Sequence, residues 1–85
     1  MSQHEELLQR LLSRPADFTF DEAVKLLNGF GYVLNDKGRT SGSRILFLRQ
    51  RDHHRIMLHK PHPQNTLKRY MVDDLIDALK EGGNL

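Results

Sequence analysis

His59 and His62 stand on either side of Lys60-Pro61 in the stretch RIMLHKPHP, residues 55–63. Histidine titrates closest to neutral pH of all side chains, so it can take or give a proton under mild conditions. Two such groups beside cations suit RNA cleavage by attack of the RNA's own 2′-hydroxyl. That reaction needs a base, an acid and positive charge around the phosphorane, and it needs no metal. Arg44, Lys60, Lys68 and Arg69 can hold the phosphate, and the loop amides of Gly42 and Ser43 would add to them. The plainer reading makes both histidines surface residues that help to end a strand. Residue type alone does not separate the two.

Other chemistries fit less well. His53, His54, His59 and His62 invite a metal site. However, His53 and His54 belong to a turn on the order of 15 Å from His59, judged from strand rise. No carboxylate adjoins His59 or His62 in the sequence, so no metal is expected. Ser41 and Ser43 lack the Gly-x-Ser-x-Gly elbow of a serine nucleophile. GRTSGS lacks the Gly-Lys-Ser ending of a phosphate-binding loop. No cofactor is implied.

The distribution of charge is more informative than its sum. The formal net charge is +2, but Lys37 to Arg69 hold nine Lys and Arg residues against one acid, Asp52. Acidic residues gather toward the two ends, at Glu5, Glu6, Asp17, Asp21 and Glu22, then at Asp73, Asp74, Asp77 and Glu81. A basic middle between acidic ends points to a surface for an anion, with nucleic acid first among candidates. An ordinary solvated hairpin would carry the same charges. Eighty-five residues, 38% hydrophobic and 28% charged, make one small globular domain the expectation. No apolar run is long enough to span a membrane, and the polar opening MSQHEELLQR is unlike a signal peptide. The absence of cysteine fits a reducing cytoplasm.

The elements that must position these groups follow from periodicity. Leu7, Leu8, Leu11 and Leu12 predict a helix over residues 3–13, closed by Pro15. A second helix begins after a cap at Thr19 or Asp21, carries Ala23, Val24, Leu26 and Leu27, and stops near Gly29. FGYVLN predicts a short strand. RILFLRQ and HHRIMLHK predict a hairpin about Arg51-Asp52. Pairing Gln50 with His53 puts Phe47 opposite Ile56 and Ile45 opposite Leu58 on an apolar face. The other face then sets Leu48 against Arg55, Leu46 against Met57, and Arg44 against His59. A slip of one residue would exchange the faces of one strand. A last helix carries the stripe Leu67, Tyr70, Met71, Leu75 and Leu79, and ends at Gly82-Gly83. The expected fold is α+β, in the order α-α-β-β-β-α, with helices packed on one face of a three-stranded antiparallel sheet. The chain divides into an extra N-terminal helix, residues 1–15, and a core, residues 16–80.

From DEAVKLLNGFGY through TSGSRILF and IMLHKPHP to LKRYMVDDLIDAL, about Asp21 to Leu79, the chain resembles the HicA family of toxin–antitoxin toxins. The resemblance implies a fold like a double-stranded-RNA-binding domain. It also implies an mRNA endonuclease activity independent of the ribosome, and a HicB-like antitoxin as inhibitor. Gly42 and Ser43 match the family's Gly-Ser before the second strand, and His62-Pro63 its His-Pro after the third. The position that follows Gly-Ser, where the family's histidine usually stands, is Arg44, a poor general base because it stays protonated. The hairpin register offers His59 instead, directly across from Arg44, where paired Cβ atoms lie about 4.5–5.5 Å apart. His59 and His62 are therefore the expected catalytic residues. Gly42, Ser43, Arg44, Arg55, Lys60, Lys68 and Arg69 are expected to bind RNA. Leu46, Leu48 and Met57, apolar on the open face, are the expected antitoxin contacts, or contacts to a second copy in a homodimer. The rival expectation is a non-catalytic RNA-binding module that has lost its nuclease histidine.

Overall fold

A computed structural model describes residues 3–35, 44–61 and 64–85. Gly42, Ser43 and His62 lie outside these residues. The elements are α1 (Gln3–Leu12), α2 (Phe20–Gly29), β1 (Tyr32–Leu34), β2 (Arg44–Arg49), β3 (His54–His59) and α3 (Arg69–Glu81), in the expected order. The strands form one antiparallel sheet, β1-β2-β3.

Local chemistry explains the boundaries. Thr19 caps α2 with a full capping box: its hydroxyl accepts from the Glu22 amide at 3.1 Å, and the Glu22 carboxylate accepts from the Thr19 amide at 3.0 Å. Thr19, rather than Asp21, is thus the cap. Gly29 is the last helical residue, and the left-handed residue that turns the chain into β1 is Gly31, at φ 95°. The hairpin closes through His53 at φ 58°, a conformation that histidine tolerates better than most non-glycine residues.

The core lies between the sheet and the helices. Phe47, Ile56 and Leu58 from the sheet meet Leu26, Leu27, Val72, Leu75 and Leu79 from the helices in one apolar cluster. Tyr70 departs from its expected place in the core stripe of α3. It is 54% exposed, and Val72 takes the inward position because the buried set is Met71, Val72, Leu75 and Leu79. Leu67 is buried as expected, but from the loop before α3.

Helix α1 is tied into this core. Leu11 is fully buried in the cluster. Arg10 donates to the Glu22 carboxylate at 2.7 Å, and Arg14 pairs with Asp73 of α3. Leu11→Ala should therefore cost about 2–5 kcal/mol, as for other leucines removed from a closed core. Chemical denaturation of the full chain measures it.

The Arg10 hydrogen bond, helped by those from Thr19, lowers the Glu22 pKa from its ordinary 4.5 to about 2. The folded state therefore binds the Glu22 proton less readily than the unfolded chain does. This contribution is complete above about pH 4.5 and is lost as the pH falls toward 2. Glu22→Gln should flatten that part of a stability–pH curve.

Candidate functional site

Strand alternation and register build an open face on the side of the sheet away from the helices. The observed pairs are Arg44 with His59, Ile45 with Leu58, Leu46 with Met57, Phe47 with Ile56 and Leu48 with Arg55, each as the periodicity predicts. Because Phe47, Ile56 and Leu58 are buried, the residues next to them along each strand must face outward. Val33, Leu48 and Arg55 form one row across the three strands and Leu46 and Met57 the next, and the backbone pairing of Arg44 with His59 closes the ladder. Met57 is 48% exposed and Val33 49%, while Leu46 and Leu48 are only half-buried rather than fully open. Val33 was missing from the expected apolar set. Its signal was its opposition to Leu48, which requires the register of β1 on β2.

His59, Lys60 and Arg55 are exposed. Lys68 and Arg69 are exposed as well, at the start of α3. After α3 the Gly82 carbonyl accepts from Arg49 at 2.7 Å, so the end of the helix lies where β3 begins. Thirteen helical residues cover about 20 Å, close to the length of the six-residue strand. Helix α3 packs on β3, so Lys68 and Arg69 belong to the helix layer, on the other side of the sheet from the face that carries His59. Unlike α1 and α2, α3 has no acid in its first turn, and Lys68 gives it no side-chain cap. The helix dipole and these two cations concentrate positive charge there.

Two groups of the basic middle are withdrawn from this surface. Arg49 is 2% exposed, on the core side of β2. Its guanidinium donates to both Asp52 carboxylate oxygens at 2.9 and 2.6 Å, to Asn84 Oδ1 at 2.6 Å and to the Gly82 carbonyl, and lies 4.8 Å from the centre of the Tyr32 ring. Hydrogen bonding to Arg49 holds the Asp52 carboxyl well below the usual carboxylate range. His54 Nδ1 lies 2.6 Å from the Tyr32 hydroxyl, which accepts from Asn84 Nδ2 at 3.0 Å. The basic stretch therefore splits in two: Arg49 staples the C-terminus to the sheet, and Arg55, Lys60, Lys68 and Arg69 remain on the surface. Alternation with Ile45 and Phe47 is the sequence signal for an inward Arg49, but charge alone reads it as outward.

Among the described residues, no three His, Asp or Glu side chains gather as a metal site, and no helix is long and apolar enough to cross a membrane. Residues 20–83 match the model of a family described as the HicA toxin of bacterial toxin-antitoxin. That span begins with α2, so α1 lies outside it. No curated protein and no solved structure matches the chain significantly.

Proposed function

Since the chain belongs to the HicA toxin family of toxin–antitoxin systems, we propose that it is an RNA-binding toxin that cleaves mRNA without a metal and is held inactive by a HicB-like antitoxin in the cytoplasm. The observation that carries this reading is the pairing of Arg44 with His59 at the exit of β3. The family's nuclease histidine is replaced by Arg44, and an exposed imidazole stands across the ladder from it.

In this mechanism Arg44, Arg55, Lys60, Lys68 and Arg69 hold the RNA backbone, with the amides of Gly42 and Ser43. One histidine of the pair His59 and His62 takes the proton from the 2′-hydroxyl. The 2′-oxygen attacks phosphorus, and the bond to the 5′-oxygen breaks. The other histidine gives that oxygen its proton, leaving a 2′,3′-cyclic phosphate and a 5′-hydroxyl. The cations stabilise the charge that builds on the phosphorane. An antitoxin seated on Leu46, Leu48 and Met57 would cover His59 and the adjoining cations together.

The test is RNA cleavage by the purified chain in EDTA. Cleavage that persists in EDTA and disappears in His59→Ala supports the reading. A specific observation favours a second reading, a non-catalytic RNA-binding module: Arg44 cannot act as a base. That reading predicts salt-sensitive RNA retention and no cleavage.

A further inference from the structure

Strand β3 is an edge of the sheet, and the register fixes the direction of its backbone groups. The Asn35 amide donates to the Leu46 carbonyl at 2.9 Å, so Leu46 turns its N–H and C=O toward β1. In an antiparallel sheet these groups alternate sides along a strand. Ile45, Phe47 and Arg49 therefore face β3, and their partners Leu58, Ile56 and His54 face back. That leaves Arg55, Met57 and His59 with N–H and C=O groups directed away from the sheet. No described residue hydrogen-bonds to them. The same three residues carry exposed side chains on the open face. Six residues of edge without proline or bulge form a ready template for another strand.

The charges along this edge select the occupant. Arg51, Arg55 and Lys60 are exposed, and His53 and His59 lie among them. Among the described residues from Gln50 to Lys60 the one acid is Asp52, and Arg49 engages it. A second copy would bring Arg55 and its neighbours against the same cations with no acid to meet them. An acidic strand would meet them with opposite charge.

We propose that the edge of β3 accepts an extended acidic segment of the antitoxin as a fourth strand, in the pattern acidic–any–apolar–any–acidic. The two acids lie opposite Arg55 and His59, and the apolar residue opposite Met57. Six main-chain hydrogen bonds, two at each of Arg55, Met57 and His59, follow from full pairing of the three. The strand sets a carboxylate beside His59 and the surrounding cations, competing with phosphate for that site. The proposal rests on the reading that an antitoxin covers this face, and it does not require the chain to be a nuclease.

The probe is a blocked peptide, Thr-Glu-Thr-Val-Thr-Glu-Thr, added to the full-length chain. The control is the same peptide N-methylated on its two Glu residues and its Val, whose amides would pair with β3. Site-resolved hydrogen exchange should slow at the Arg55, Met57 and His59 amides when the peptide binds. The methylated peptide should bind at least about tenfold more weakly, as expected for several lost main-chain bonds. Met57→Pro should weaken peptide binding in the same way. It removes an outward N–H, which an edge strand tolerates, and its thermal unfolding checks the fold. Equal binding of the two peptides would overturn the proposal, because charge alone would then explain it. So would failure of the unmethylated peptide to bind, or protection of the three amides in a dimer of the chain alone. Protection by an RNA oligonucleotide but not by the peptide would also overturn it. RNA cleavage measured on the same preparation reports separately on the nuclease, so a failure of either reading is visible by itself.

Discussion

His59→Ala should lower RNA cleavage by about a hundred- to ten-thousand-fold, the range typical of removing a group that moves a proton in the transition state. The variant keeps its thermal transition, because His59 is exposed at the end of β3 and no core contact depends on it. In cells the same substitution should end growth arrest. The comparison that decides the matter is with His62→Ala. If His59→Ala keeps full growth arrest and full cleavage while His62→Ala loses both, the replacement of the family's histidine by His59 is wrong. If both variants lose cleavage and still retain RNA, they share the proton work as acid and base. Their RNA affinity, read across a salt series, separates this loss from a loss of binding. If Arg44, Arg55, Lys60, Lys68 and Arg69 hold the RNA backbone as proposed, those cations should set the salt slope.

Arg49→Ala should lower the thermal midpoint by on the order of 10 °C, the size expected when the buried donor to part-buried oxygens is removed from a domain this small. The guanidinium is 2% exposed and makes hydrogen bonds to Asp52, Asn84 and Gly82. Its loss leaves the Asn84 and Gly82 oxygens without their donor and removes the cation from the Tyr32 ring. Hydrogen exchange at the hairpin turn and at the end of α3 should quicken together, since this one side chain joins them. Arg49→Lys should recover little. A single ammonium cannot reproduce the paired bonds to Asp52 or the planar contact with Tyr32. Urea unfolding of the three proteins checks the order, and an Arg49→Ala midpoint equal to that of the parent chain would refute the account of the network.

Much of this arrangement could be read from residue order. Alternating apolar residues in RILFLRQ and HHRIMLHK, with the short connection at Arg51-Asp52, admit one register that turns Phe47, Ile45, Ile56 and Leu58 to the core side together, and that register is observed. The same alternation puts His59 across from Arg44. Tyr70 was misread because helical spacing marks a stripe only to within about one residue, and the final choice between Tyr70 and Val72 depends on how α3 is rotated against the sheet. The burial of Arg49 has a different source. A net charge count treats every cation as a surface group, whereas Asp52, Asn84 and the Gly82 carbonyl make its burial tolerable. Asn84 is 35 residues away from Arg49 along the chain, so no local pattern announces the pairing.

The amino-acid sequence by itself determined the order of elements, the hairpin register and the kinship of the chain, because these depend on spacing within segments and on short-range turns. Tertiary structure alone decided which cations remain at the surface, where α1 docks, and which backbone groups of β3 are left unpaired. Each of those outcomes depends on contacts between residues distant in the chain. Leu11 meets the core, Asn84 and Gly82 meet Arg49, and β1 takes up one side of β2 so that β3 must lie at the edge. Periodicity can say which way a side chain points, but whether something waits there to receive it is settled only when the chain closes on itself.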